Sequence, residues 1–137
     1  MVSRIHNLIV NNDRKLIMSF DKTKNKSTGN EGEEEAAKYL LNKGYKVIER
    51  NLTLPYGEID ILAQERKTIV LVEVKTVRGS GFGLAQELVR FKKQNKLKLL
   101  GRYLEQQYPN STIRIDVIGV DMSSDEHKIE HIENAVY

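Results

Sequence analysis

GEIDILAQERKTIVLVEVK, residues 57–75, is two short apolar runs joined by a polar link at Gln64 to Lys67. Each run carries ionisable residues two apart, Glu58 and Asp60 in the first, Glu73 and Lys75 in the second. Successive side chains of an extended strand point to opposite faces. Glu58 and Asp60 are therefore expected on one face with Ile59 and Ile61 on the other, and Glu73 and Lys75 opposite Val72 and Val74. Paired as a hairpin in suitable register, the runs gather three carboxylates and one ammonium onto one patch of sheet. IVLVEVK is apolar enough to read as a largely buried strand, where unpaired charge is costly.

Carboxylates brought close repel one another and must be protonated, paired or bound to a cation. Oxygen-only ligation by few protein groups suits Mg²⁺, with Mn²⁺ as a substitute, because the ion keeps several waters and accepts phosphate oxygens. Lys75, about 7 Å along the strand from Glu73, is placed to orient a water or meet charge developing on phosphorus. The chemistry that fits is metal-assisted phosphodiester hydrolysis. Solvated charges, or cross-strand salt bridges, would give the same pattern without a site.

Upstream, Tyr45 to Leu52 reads as a first strand and Thr53 to Tyr56, with Pro55, as its turn. Before it, NEGEEEAAKYLLNKGY opens with an Asn cap and acidic residues that offset the helix dipole. Ala36, Ala37, Leu40 and Leu41 follow at helical spacing, and Gly44 supplies the stop. Glu33 lies on the side of Ala36, Ala37 and Leu40, an odd place for a charge unless it only compensates the dipole.

Downstream, Gly79 and SGFG at 80–83 form a glycine-rich connection. RFKKQNKLKLLGRYLEQQ, residues 90–107, carries Leu97, Leu100, Gly101 and Leu104 as an apolar stripe, so a second core-docked helix is expected. Lys92, Lys96, Lys98 and Arg102 project mostly away from the stripe, a charged face that suits solvent as well as phosphate. Lys93 and Gln94 sit near its N-terminal edge. Thr112 to Val120 is a fourth strand, with Ile113, Ile115, Val117 and Gly119 on one face and Arg114, Asp116, Ile118 and Val120 on the other. Lys128 to Ile132 adds a short edge strand. His127 and His131 flank it four apart, but on a strand that spacing does not favour a metal pair. The order helix, three strands, helix, one or two strands gives an α/β or α+β sandwich with helices packed on a mixed sheet.

A chain of 137 residues, 39% hydrophobic and 30% charged, suits one globular domain. With no cysteine there is no disulfide, thiol nucleophile or zinc ribbon. No apolar run approaches the roughly 18 residues of a membrane span, and Ile5 to Val10 makes a poor signal peptide, so a cytoplasmic protein is expected. Residues 1–28 hold six lysines and arginines against two aspartates, net +4 of the overall +3. They lack periodicity and read as a flexible extension; residues 29–137 form the expected domain. Global charge therefore says little about partners, and local clusters must carry any case for nucleic acid.

GNEGEEEAAKYLLNKGYKVIERN, GEIDILA, VLVEVKT, FG, KKQNKL, RIDVIGV and IEHIENA resemble, in order and spacing, the YraN family of small bacterial proteins. That family is similar to archaeal Holliday junction resolvases within the PD-(D/E)xK nuclease superfamily. The resemblance implies a restriction-endonuclease-like core: a mixed central sheet of four to five strands flanked by helices. It makes Asp60 and Glu73 metal ligands, Lys75 the catalytic lysine and Glu33 the acidic residue that completes the cluster. Gln94 becomes a candidate for supporting Lys75 or contacting phosphate, and Glu58 takes a less defined place in the GEID segment. Where family members often have Arg after VEVKT, this chain has Val77, with Arg78 next. The implied function is a metal-dependent endonuclease acting on DNA, including structured or branched DNA. A homodimer would suit cutting two strands. The other reading is a nucleic-acid-binding or scaffold protein that keeps the fold without turnover, its phosphate contacts drawn from Lys92, Lys96 and Lys98, with Lys93 a further supporting or nucleic-acid-binding candidate.

Overall fold

The computed structural model describes residues 28–78, 83 and 94–135. The proposed N-terminal extension lies outside them but for Thr28; so do Lys92, Lys93 and most of the glycine-rich connection. Helix α1 (Thr28–Asn42) precedes strands β1 (Lys46–Leu54), β2 (Gly57–Glu65) and β3 (Thr68–Val77). Helix α2 (Gln94–Gln107) leads to β4 (Thr112–Asp121) and β5 (Lys128–Ile132). The five strands lie in sequence order, β3 and β4 parallel and the other neighbours antiparallel. This is the mixed-sheet α/β architecture expected, consistent with a restriction-endonuclease-like core.

Each helix covers one face of the sheet. Ala36, Ala37 and Leu40 of α1 pack on Ile61, Ala63, Val70, Val72, Ile118 and Val120. Leu97, Leu100 and Leu104 of α2 pack on Leu52, Leu54, Ile59, Leu62, Ile69, Leu71 and Val117. Fully burying each such leucine or isoleucine stabilises by about 1.5–3 kcal/mol. The end of α1 follows from its sequence. Gly44 takes φ 94°, and Gly44 and Tyr45 donate their backbone N–H groups to Leu41 and Leu40 at 3.0 and 2.9 Å, closing the orphan carbonyls.

The turns are tighter than the sequence suggested. β1 continues to Leu54, which pairs with Gly57, leaving only Pro55 and Tyr56 as the loop. Arg66 and Lys67 alone join β2 to β3, with Arg66 at φ 56°. A larger correction concerns faces. Ile59 lies in the α2 core and Ile61 in the α1 core, so they do not share a face. The cause is a rotation of two strands together. Asn51 adopts φ 52°, and the pairs Arg50↔Ile61 and Leu52↔Ile59 on either side of it keep register while their side chains change layers.

A polar network ties β5 to the α1 face. Asp116, fully buried, accepts from Arg114 Nε at 2.9 Å and Nη2 at 2.9 Å, and from the Asn134 N–H at 3.0 Å. His131 Nε2 lies 2.7 Å from its Oδ2, and His131 Nδ1 lies 3.2 Å from the Tyr39 hydroxyl. Both ring nitrogens of His131 are thus engaged by protein groups. Burial pushes the Asp116 carboxyl up, but the bonds from His131, Arg114 and Asn134 more than offset it and hold it below its ordinary value.

Candidate functional site

The ladder between β2 and β3 runs from Glu65↔Thr68 to Ile61↔Val72 and stops there. Beyond that point β2 stays paired with β1, and β3 with β4 as far as Val77↔Asp121. The sheet forks, and Asp60 is the first residue past the fork. Its Oδ2 accepts the Val74 N–H at 2.9 Å, replacing the ladder acceptor that the diverging strand withdraws. That bond holds one carboxylate oxygen against the backbone of β3 beside Glu73.

Glu73 follows Ile69 and Leu71 on the α2 face and is 3% exposed. Lys75, half-buried, comes two residues later on that face. Glu58, preceding Ile59, is exposed and points to the α1 side by alternation. Glu33 reaches the same place from the first turns of α1. Burial raises its carboxyl above the ordinary 4.5; the Asn51 side chain and the Arg50 guanidinium oppose this, while the charges of Glu58 and Glu73 add to it. Its Oε1 is buried without a hydrogen-bond partner. The charges of Glu58 and Glu73 therefore both reach Glu33 near the fork that Asp60 occupies, Glu58 from the α1 side of the sheet and Glu73 from the α2 side.

Two positioning residues were not singled out by sequence reasoning. Gly32 lies so close to Thr76 of β3 that a Cβ there would overlap the threonine Oγ1, which lets the start of α1 settle on the end of β3 and bring in Glu33. Asn51 both turns the strands and faces Glu33. The signals existed: a glycine in the first turns of a helix, and an asparagine, tolerant of positive φ, inside a strand pattern.

The α2 residues divide. Gln94 is half-buried at the first position of the helix, on the sheet face that carries Glu73 and Lys75. Lys96 is exposed, and its side chain crosses Gly57, which has φ 142° and no Cβ to block it. Arg78 donates to the Met122 carbonyl at 3.3 Å, so part of its guanidinium serves the fold.

Among the described residues no group of three or more carboxylates or histidines is arranged to hold a metal ion. Mg²⁺ does not require one, since it binds through one or two carboxylates plus waters and phosphate oxygens. The donor set fits such an ion: oxygen ligands only, crowded negative charge and an orphaned buried oxygen on Glu33.

A model of the family described as Uncharacterised protein family UPF0102 matches residues 32–120, from the start of α1 through nearly all of β4. The chain belongs to UPF0102. This is the YraN family that the motifs resemble, and the matched span contains Glu33, Glu58, Asp60, Glu73, Lys75, Gln94 and Lys96. A UPF0102 protein of Thermodesulfovibrio yellowstonii is 45% identical over 113 residues, covering 80% of this chain and 95% of its own. Those of Desulforamulus reducens and Clostridioides difficile are 39% and 42% identical over 117 and 113 residues. They cover 81% of this chain in both cases, and 96% and 97% of their own. No helix among the described residues is long and apolar enough to cross a membrane.

Proposed function

We propose that this UPF0102 protein is a metal-dependent endonuclease that hydrolyses phosphodiester bonds in DNA, structured or branched DNA included. The observation that carries the proposal is the fork: Asp60 fixed on the Val74 N–H beside buried Glu73, where two strands part. Asp60 and Glu73 would hold Mg²⁺ or Mn²⁺, with Glu33 as a further oxygen donor. When bound, the ion supplies charge neutralisation on the phosphodiester and a water of lowered pKa. The chain's own residues do the rest. The Val74 N–H orients Asp60. Lys75, on the face of Glu73, holds its ammonium toward the charge that develops on phosphorus. Glu33 Oε1, with no partner of its own, is available to a ligand or a proton.

A nucleic-acid-binding protein without turnover is the second reading, since no group of three or more carboxylates or histidines among the described residues is arranged to hold a metal ion. Cleavage decides between the two. Asp60→Asn or Lys75→Ala should abolish it while leaving binding largely in place; equal cleavage by carefully purified variant and parent would exclude the nuclease.

A further inference from the structure

Outside the carboxylate cluster, the α2 face carries an exposed aromatic patch. Tyr56, in the two-residue loop between β1 and β2, is 51% exposed and meets Tyr103 of α2 edge-on, ring centroids 6.2 Å apart and planes at 70°. An edge-on pair, unlike a stacked one, does not use up both rings' faces. Leu99, 43% exposed, lies one helical turn before Tyr103, and Lys96 one turn before Leu99 and Leu100, so all three share the flank of α2 nearest the loop. The lysine side chain crosses Gly57, the residue after Tyr56. From Tyr56 to Asp60 is four residues, about 13 Å along β2. Tyr56 and Lys96 therefore stand at the end of β2 that leads to Asp60, and Ile59 between Tyr56 and Asp60 faces the same helix.

From this juxtaposition we propose that Tyr56, backed by Tyr103 and with Lys96 beside it, is a stacking platform for an unpaired base of the nucleic acid whose phosphate reaches the fork. This rests on the nucleic-acid reading of the site and narrows it to substrates with unpaired nucleotides near the bond to be cut. The occupant follows from charge and shape. A π face next to a cation fits a base and its phosphate, and stacking is indifferent to sequence because every base offers a π face. A base paired within a duplex cannot use the platform.

The chain contains no tryptophan, so Tyr56→Trp places a single fluorophore at the platform. Titration with an oligothymidylate in metal-free buffer should quench it saturably, and blunt duplex at equal salt should quench it far less. An oligouridylate arm tells a DNA source of the base from an RNA source. In the otherwise unaltered chain, Tyr56→Ala should weaken binding of the oligothymidylate by about 5- to 150-fold, with Tyr56→Phe restoring affinity and Tyr56→Leu not. Lys96→Gln should instead lower the salt slope by about 0.7, a phosphate signature that Tyr56→Ala leaves unchanged.

Strand binding by the parent that is unaffected in Tyr56→Ala overturns the platform and leaves the nucleic-acid reading standing. Absence of all nucleic-acid binding by the parent overturns both. A self-association lost in Tyr56→Ala without quenching by any strand overturns the platform in favour of an interface between copies. Quenching and loss of affinity without cleavage in any metal support the platform while removing the nuclease.

Discussion

Glu33 is the residue at which stability and proposed function pull apart. Its carboxyl is raised by burial, with Glu58 and Glu73 adding to the effect, so the folded protein holds that proton more tightly than the unfolded chain does. The sign follows from linkage: the folded state loses stability as pH rises from the ordinary 4.5 through the raised value. Glu33→Gln should therefore raise the metal-free Tm at pH 7, the gain shrinking as pH falls toward 4.5, and thermal unfolding across pH in the presence of a chelator checks it. The same variant should gain less Tm than the parent when Mg²⁺ or Mn²⁺ is added, because a ligand that binds only the folded state stabilises by RT ln(1 + [L]/Kd). Lys75→Ala should take cleavage below detection, since loss of even one donor to developing charge typically costs about 10²–10³-fold. The shared face of Glu73 and Lys75 was legible, since strand alternation can read it. Glu33 was legible only as a charge on the wrong side of a helix. The groups that face it, Asn51 and Arg50, belong to another element.

Between elements, the decisive event is the exchange of layers at Asn51 and Asp60. Strict alternation placed Ile59 with Ile61 and made Asp60 a neighbour of Glu58 on one face; the structure turns both strands and points Asp60 at the backbone of β3. A period of two cannot foresee this, because a positive φ at one asparagine is a local choice that only pairing with β2 makes worthwhile. The seating of α1 is equally dependent on a partner. Gly32→Ala should push the helix from Thr76 and cost about 1–3 kcal/mol, as overpacking does, and Thr76→Ala should relieve part of that cost. A double-mutant cycle by urea unfolding should return a coupling of about 0.5–3 kcal/mol; additivity would mean that the two do not touch. The β5 anchor was visible only in outline. RIDVIGV announces a strand with Arg114 and Asp116 on one face, yet nothing local says that His131 and Asn134 will close on Asp116. Asp116→Ala should cost about 3–5 kcal/mol, since it leaves Arg114 without its closest carboxylate in a buried setting. In the parent, the carboxyl held below its ordinary value contributes stability above pH 3.8 that is lost as pH falls further, and urea midpoints measured down through that range follow the loss.

For the whole molecule, a mixed sheet with one helix on each face brings the fork of β2 and β3, the start of α1 and the basic helix α2 into one neighbourhood. The order of elements and the apolar stripes on both helices were enough to anticipate that architecture, because burial of Ala36, Leu40, Leu97, Leu100 and Leu104 leaves few other arrangements. The match to UPF0102 over residues 32–120 covers every proposed site residue, Lys92 and Lys93 included, although those two lie outside the described residues. The most direct test is a cleavage screen with Mg²⁺ and Mn²⁺ over single-stranded, duplex, flap and four-way DNA, with parent and Asp60→Asn prepared side by side. The parent should cut at least one substrate containing unpaired nucleotides and lose that activity with chelator, while Asp60→Asn binds the same DNA without cutting it. Equal cutting by both proteins, or none by the parent on any substrate, would contradict a metal-dependent nuclease centred on Asp60.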